Sequence, residues 1–217
     1  VNWRWLATDP DDIAFNIYRD GTKLNTLPLS SRTNYLDAEG SVNSNYTVEA
    51  LSAGKVVETA VALVLEKGYL NIPLDRPQGG TVQGSSYTYT PGDASVGDVD
   101  GDGEYEIILK WDPTNQCDNG QNGSQNYTGN VYLDCYKLNG TKLWRIDLGV
   151  NIRAGAHYTQ FMVYDLDGDG KAEVACKTAP GTIDGQGNHV IMGSDDPTAD
   201  YRGTYGGKKG VIKTGPE

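Results

Sequence analysis

The chain has 217 residues and a formal net charge of −11, so it is long enough for one large or two small domains. No basic stripe offsets the acidic balance, so we expect no nucleic-acid partner. No apolar run approaches the roughly 18 residues that cross a bilayer, so we expect no membrane partner. The 28 glycines and 14 tyrosines, against 2 phenylalanines, favour turn-rich β-structure over helical bundles.

The cysteines argue against both a disulfide framework and a zinc site. Cys117, Cys135 and Cys176 are odd in number and lack CxxC spacing. A single Cys117–Cys135 pair is the one disulfide left open. The two histidines are too far apart in the sequence to favour zinc.

The first 67 residues read as short strands separated by turns. Apolar and polar residues alternate over residues 13–18, and Asp20-Gly21 directly after them predicts a hairpin. Further strand-like runs cover residues 46–51 and 56–65. This rhythm predicts a small fibronectin type III-like β-sandwich over residues 1–67, with an accessory role.

The remaining residues, 68–217, have a different character. Two prolines, Pro73 and Pro77, mark the linker, and beyond them strand-like runs alternate with loops rich in Asp, Gly and Asn. The longest loop, residues 112–130, has a length typical of functional or disordered segments. After it, Asn139-Gly140 separates two strand-like runs and predicts a two-residue type I′ hairpin.

Two aspartate ladders, residues 98–106 and 165–173, each precede a strand-like apolar run. Carboxylates at loop positions 1, 3 and 5 with glycine at position 6 are typical of a calcium loop. An EF-hand would place glutamate at position 12, where this chain has Leu109 and Cys176. An acidic residue stands at position 9 instead. The predicted calcium ligands are Asp98, Asp100, Asp102, Glu106, Asp165, Asp167, Asp169 and Glu173. The alternative is a pair of Asp-Gly turns that bind no metal.

The ladders belong to an internal repeat. Asp98 and Asp165 stand 67 positions apart, and Lys110 and Lys177 each follow twelve residues later. A repeat of ladder, inner strand, loop and hairpin predicts the first blades of a calcium-binding β-propeller. A usual blade has about 40–45 residues, so this period requires long insertions.

Several long phrases give the chain a family resemblance. Residues 94–113, 144–149, 151–161 and 165–179 resemble rhamnogalacturonan lyases of polysaccharide lyase family eleven, and the likeness runs over nearly the whole chain. The resemblance implies a secreted, monomeric bacterial enzyme with a small β-domain and an eight-bladed propeller. It also implies bound calcium and cleavage of the rhamnogalacturonan I backbone of pectin by β-elimination.

The resemblance further implies that this chain carries only the first blades, and that any signal peptide lies outside it. One local departure concerns Gly92. The family often has asparagine at that position, and glycine supplies no amide for a substrate contact.

β-Elimination at a galacturonosyl residue requires a cation near the uronate carboxylate, a base for the C5 proton and a proton for the leaving oxygen. Calcium can serve the first role, although an ion in a repeated loop can equally serve only to fix the turn. The catalytic candidates are His157, Arg153, Lys110 and Lys177. For the lysines the alternative is a strand-end ion pair, and for His157 it is a scaffold for a calcium loop or a buried hydrogen bond.

The substrate-binding candidates are Asp93, Tyr89, Trp111 and Asn115. Packing within the sheet is the alternative for the two aromatic rings. A second hypothesis for the whole chain is a non-catalytic, calcium-stabilised propeller that binds glycans or proteins, because the ladders alone do not separate the two functions. The phrase from Arg153 to Phe161 and the loop after Asp112 favour the enzyme.

Overall fold

The structure, a computed structural model, describes residues 1–6, 8–62, 64–118 and 126–212. Strands are the regular elements of these residues, which include no helix and therefore none that could span a membrane. The predicted all-β class is confirmed. In chain order the strands are β1 (Ala14–Arg19), β2 (Thr22–Lys23), β3 (Tyr46–Ser52), β4 (Lys55–Ala62), β5 (Gly80–Val82), β6 (Ser85–Tyr87), β7 (Tyr89–Gly97), β8 (Glu106–Pro113), β9 (Tyr132–Tyr136), β10 (Lys142–Asp147), β11 (Phe161–Tyr164), β12 (Glu173–Cys176), β13 (Arg202–Tyr205) and β14 (Lys208–Ile212).

The chain forms two compact units, Val1–Asn71 and Ile72–Glu217. Among its described residues, the first unit has one antiparallel sheet with the strand order β2-β1-β3-β4. Asp20 and Gly21, with φ angles of 50° and 79°, join β1 to β2 in the primed turn geometry, so the predicted hairpin is confirmed. The core of this sheet consists of Ile13, Phe15, Ile17, Tyr46 and Val48.

The second unit is built around a four-stranded antiparallel meander with the order β10-β9-β8-β7. The pairs β11-β12, β13-β14 and β5-β6 form separate two-stranded sheets. Two apolar clusters support the unit: Tyr89, Leu109, Trp111 and Tyr136 form one, and Val131, Leu133, Leu148, Ile152, Ala154 and Ala179 form the other.

Strand β8 is the inner strand that positions most of the polar candidates. Because side chains alternate along a strand, Glu106, Lys110 and Asp112 share one face, whereas Leu109 and Trp111 point to the other. All five are buried, and β7 and β9 pair with the two edges of the strand. One short segment therefore holds three ionisable groups inside the unit.

Both aspartate ladders are the connecting loops of β-hairpins. The first joins β7 to β8 above the pair Gly97 and Glu106, and the second joins β11 to β12 above the pair Tyr164 and Glu173. The loops also meet, because the Ala172 N–H donates to the Asp98 carbonyl at 2.6 Å. The repeat seen in the sequence is thus a repeat of hairpins.

The turn between β9 and β10 differs from its prediction. Gly140 has a φ of +87°, but Asn139 is not in the left-handed region that a type I′ turn requires at both central residues. The Gly140 N–H donates to the Lys137 carbonyl, and the Lys137 N–H donates to the Thr141 carbonyl, each at 2.9 Å. The type I′ prediction is wrong: the loop is a three-residue turn whose glycine takes the left-handed position.

Candidate functional site

The first ladder loop folds its backbone around Asp98. The carboxylate accepts hydrogen bonds from the N–H groups of Gly101 at 2.7 Å and Gly103 at 2.9 Å. Both glycines have positive φ, +79° and +86°, which brings these N–H groups inward. Glu106 closes the loop by accepting the Val99 N–H at 2.9 Å.

The second loop repeats this geometry almost bond for bond. Asp165 accepts from Gly168 at 2.7 Å and from Gly170 at 3.0 Å, and Glu173 accepts the Leu166 N–H at 2.8 Å. Both glycines again have positive φ. The shared residue types and spacing therefore encode one shared loop fold.

In each loop, three carboxylates converge. Oxygens of positions 1, 3 and 9 lie within 4.8 Å of one another in two groups, Asp98 with Asp100 and Glu106, and Asp165 with Asp167 and Glu173. Asp102 and Asp169, at position 5, lie outside these groups. Hard carboxylate oxygens gathered on one point fit calcium better than a softer metal, so the donor set suits the predicted ion.

A cation of the protein itself already meets the first group. The Nζ of Lys137 lies 2.6 Å from Asp100 Oδ2, 2.7 Å from Asp102 Oδ2 and 4.0 Å from Glu106 Oε1. Its hydrogen bond lowers the pKa of Asp102, and the two aspartates raise the pKa of Lys137. Lys137 is absent from the candidates predicted from the sequence. The available signal was its position, because it directly follows β9, the strand that pairs with β8.

A bulge in β7 places Asp93 over Lys110. The register shifts between Pro91 and Ala94, and the Lys110 Nζ lies 2.6 Å from Asp93 Oδ2 and 3.9 Å from Asp112 Oδ2. The Lys110 side chain is only 5% exposed, whereas that of Asp93 is 77% exposed. A buried ammonium is thus covered by a carboxylate that solvent can reach.

Asp112 adds a second carboxylate with an unusual environment. Its Oδ1 is buried and has no hydrogen-bond partner among the described residues. Burial raises its pKa, and the charge of Lys110 opposes that rise only in part. A Cβ at Gly92 would lie 2.1 Å from Asp112 Oδ2, so glycine at that position leaves the carboxylate its space.

Lys177 does not share the environment of Lys110. Strand β8 runs on to Pro113 and keeps Lys110 inside the sheet, whereas β12 ends at Cys176, so Lys177 is exposed beyond the strand. Their equal spacing after the ladder therefore gives two different sites. A common catalytic role for the two lysines stays a prediction.

His157 forms a dyad with Asp118, which the sequence analysis did not identify. The Nδ1 of His157 is hydrogen-bonded to Asp118 Oδ2, and this bond lowers the pKa of Asp118. The imidazole is 77% exposed, so it is not the buried hydrogen-bonding histidine of the alternative interpretation. In the loop over residues 112–130, Asp118 is the last described residue before residues 119–125, which lie outside the described residues.

Arg153 lies inside the unit and binds backbone. It donates to the carbonyl of Cys117 at 2.7 Å and to those of Gly210 at 2.8 Å and Lys209 at 3.3 Å. Its Nη2 is buried without a partner among the described residues. These contacts connect the loop that carries Asp118 to β14, so the observed contacts of Arg153 are architectural.

The predicted substrate-binding aromatics belong to the core. Tyr89 is fully buried and Trp111 is 2% exposed. The Tyr89 hydroxyl donates to the Asn130 carbonyl, and the Trp111 indole donates to Asp134. The geometry supports the packing alternative for both rings, because a buried ring presents no face to a sugar.

Asn115 organises the long loop. Its side-chain amide donates to Ser85 Oγ at 3.2 Å and to the Tyr127 carbonyl at 3.3 Å, while its Oδ1 accepts the Gly129 N–H at 3.0 Å. Its substrate role stays a prediction.

A buried carboxylate that sequence reasoning missed holds the meander together. Asp134 is fully buried and accepts hydrogen bonds from Trp111 at 2.9 Å, Tyr136 at 2.6 Å and Arg145 at 2.6 Å. Burial, together with the bond to Asp134, raises the pKa of Tyr136 to about 12.

All three cysteines are free thiols, so the Cys117–Cys135 pair is absent.

Comparison with known proteins gives these observations a family. The model for the rhamnogalacturonan I lyases beta-sheet domain matches residues 1–64, and that for the rhamnogalacturonan lyase family 11 C-terminal domain matches residues 69–217. The chain belongs to rhamnogalacturonan lyase family 11. Both ladder loops, the Lys110 cluster and the His157 dyad lie in the part that matches the second domain, and the resemblance predicted from the sequence is confirmed.

Characterised members of family 11 match the whole chain. It is 57% identical to the rhamnogalacturonan endolyase YesW of Bacillus subtilis and 54% identical to the exolyase YesX of the same organism, covering all of this chain and 33% and 34% of theirs. The crystal structure of the exotype lyase YesX aligns with a TM-score of 0.88 at 52% identity over 99% of this chain and 34% of that one. The chain therefore spans about a third of the length of the curated relatives it matches.

Proposed function

We propose that this chain is part of a calcium-dependent rhamnogalacturonan lyase that cleaves the rhamnogalacturonan I backbone of pectin by β-elimination at galacturonosyl residues. The observation that carries the proposal is the match of the entire chain to family 11 members, at 57% and 54% identity. The site is compatible with it, because an acidic protein with cation-binding loops and a buried ammonium can accept an acidic polymer.

We further propose that the first unit is a fibronectin type III-like sandwich and that the second contributes the first blades of a propeller. The four-stranded meander of the second unit supports the propeller, because it has the strand number of one blade. The neighbouring hairpin β11-β12 carries the second ladder and packs closely on the first: a Cβ at Gly97 would lie 2.8 Å from Val163 Cγ1. Adjacent, equivalent hairpins are what a propeller repeat requires.

Calcium would be held by Asp98, Asp100 and Glu106 in the first loop and by Asp165, Asp167 and Glu173 in the second. Bound there, the ion supplies positive charge that compensates the crowded carboxylates and fixes the loop. Glu106 and Lys110 are four residues apart on one strand, roughly 13 Å at about 3.3 Å per residue. Because that is far beyond a ligand bond, we assign these ions a structural role.

The ion pair proposed to meet the substrate, Lys110 with Asp93, lies along β8 away from the first ladder loop. A uronate carboxylate can replace Asp93 as the partner of Lys110, because Asp93 is exposed and the ammonium beneath it is buried. His157, oriented through Nδ1 by Asp118, leaves its other ring nitrogen for proton transfer.

The polymer substrate lies outside the cell, so we also propose that the enzyme is secreted. Extracellular calcium modules bind at about 10⁻⁴–10⁻³ M, and we propose that affinity range for the two loops. The proposal includes a monomeric enzyme.

The test is turnover of rhamnogalacturonan I by the full-length protein, followed by the ultraviolet absorbance of unsaturated products. We expect product in excess calcium and a loss of at least tenfold in rate for Lys110→Met. Lys55→Met, an exposed lysine of β4 in the first unit, is the control of equal charge and should retain the rate. Binding of the polymer without product in excess calcium would instead identify a non-catalytic glycan-binding protein.

A further inference from the structure

Lys137 distinguishes two ladder loops that are otherwise equivalent. Tyr136, the last residue of β9, pairs with Ile107 of β8. Because the two strands are antiparallel, Lys137, the next residue, lies beside Glu106 at the edge of the first loop. The turn fixes the Lys137 backbone through its N–H and its carbonyl, each in a 2.9 Å hydrogen bond. Its ammonium is thereby directed into the carboxylate group that a cation would occupy.

The second loop has the same backbone bonds but a different surrounding. Among the described residues, no lysine or arginine forms an ion pair with Asp165, Asp167, Asp169 or Glu173. Lys171, the nearest candidate in sequence, lies against the first loop instead, where its Cε would be 2.7 Å from a Cβ at Gly101. The charge available to the two loops therefore differs although their ladders match.

We propose that Lys137 is a tethered competitor for the cation of the first ladder loop. It makes that loop the weaker calcium site, and it keeps the loop organised when calcium is scarce. The second loop is the tighter site and depends on calcium for its order. The inference rests on the proposed calcium binding and goes beyond it by ranking the two sites and naming the residue that ranks them.

The sign of the effect follows from electrostatics. If calcium displaces the ammonium, binding must first break its contacts with Asp100 and Asp102. If the ammonium stays, its charge repels the incoming ion and reduces the charge of the ligands. In both cases Lys137 stabilises the calcium-free loop more than the calcium-bound loop, which lowers the apparent affinity.

The size of the effect follows from two partly exposed ion pairs. Partly exposed ion pairs are weak, so we expect these two together to change a binding constant by roughly tenfold. We therefore expect the calcium concentration that half-occupies the first loop to be about ten times that for the second.

The test reads each loop separately. Crystals of the full-length protein are equilibrated with graded free calcium, and the anomalous difference density gives the occupancy of each loop. We expect Lys137→Met to lower the half-occupancy concentration of the first loop about tenfold and to leave the second unchanged. Lys171→Met is the matched control, since Lys171 lies beside the first loop and, within the described part of the chain, forms no ion pair with the carboxylates of that loop.

The possible outcomes separate the two proposals. The role of Lys137 would be overturned if both loops bind calcium with the same half-occupancy concentration and Lys137→Met does not change it. That result would leave the calcium proposal standing. Calcium in neither loop at millimolar concentration would overturn the calcium proposal itself. An equal gain from Lys171→Met would show a general charge effect and would also overturn the specific role.

Hydrogen exchange gives an independent measurement that needs no crystals. Chelation should increase amide exchange more in residues 165–172 than in residues 98–105. In Lys137→Met the two segments should respond alike. A larger response in the first segment of the unmodified protein would contradict the proposal.

Discussion

The two ladder hairpins have the same internal hydrogen bonds and different neighbours. In both, the first aspartate gathers backbone N–H groups and the position-9 glutamate closes the loop. The first is backed by β9 and receives Lys137, whereas the described residues place no such cation at the second. Local sequence thus sets the shape of the ladder loop, and the neighbouring strand sets the charge that the loop meets.

Calcium removal tests what the loops share and has the largest expected effect. At one calcium concentration, an ion at 100 times its dissociation constant stabilises the folded state by about 2.7 kcal/mol and an ion at ten times by about 1.4 kcal/mol, so chelation should remove roughly 4 kcal/mol for the two loops together. Differential scanning calorimetry with and without chelator measures this as a fall in Tm. The Asp100→Asn/Asp167→Asn variant is the control and should lose most of its response. An unchanged Tm in the unmodified protein would show that the loops hold no stabilising ion.

The position-9 glutamates test the difference in burial. Glu106 is 1% exposed, whereas Glu173 is half-buried. A charge-assisted hydrogen bond to a backbone N–H is stronger where water is excluded, so in excess calcium Glu106→Gln should cost about 2 kcal/mol and Glu173→Gln about 1 kcal/mol. Urea denaturation measures both, and the exposed Glu104→Gln serves as the control. The reverse order would mean that burial does not govern these bonds.

A smaller effect separates the glycines at position 4 of each loop. Gly101 and Gly168 have φ angles of +79° and +80°, so alanine should cost about 1 kcal/mol at either position. At Gly101 the new Cβ would also meet the Lys171 side chain at 2.7 Å, while Gly168 has open space. We expect roughly 0.5 kcal/mol more for Gly101→Ala, measured by urea denaturation.

Two controls test whether contact with Lys171 causes the larger loss of stability in Gly101→Ala. Gly103→Ala and Gly170→Ala should cost the same, because neither position has an atom within 4 Å of the added carbon. Combining Gly101→Ala with Lys171→Ala should remove the excess. A persistent excess would assign the difference to the backbone of the first loop and not to this contact.

The smallest expected effect is a shift in one titration. Lys137 holds the pKa of Asp102 below its usual value of 3.8, so in calcium-free protein the folded state favours the ionised carboxyl. This contribution to stability is complete above the usual pKa and is lost as the pH falls through the lower pKa of the folded state. Carbon-13 NMR of the carboxyl should give a midpoint below 3.8, and Lys137→Met should raise it. A midpoint that Lys137→Met does not move would remove Lys137 as the cause.

The contrast between bonds within a loop and contacts with a neighbouring strand also separates what sequence reasoning found from what it missed. It found the ladder loops and the Asp20-Gly21 hairpin, because their bonds join residues only two to seven positions apart and their glycines take φ angles that other residues avoid. The prediction for the Asn139-Gly140 turn was wrong. This dipeptide occurs in both two-residue and three-residue hairpin turns, and the register of β9 and β10 requires the three-residue turn.

The amino-acid sequence by itself determined the all-β class, the family and the two ladder loops. Only the tertiary structure decided which side chains stand together. It paired His157 with Asp118, 39 positions away, Lys137 with Asp102, 35 positions away, and Asp93 with Lys110 through a bulge. The reason is that a loop's internal bonds follow from residue spacing, whereas the meeting of distant charges follows from strand register, which only the packed sheet fixes.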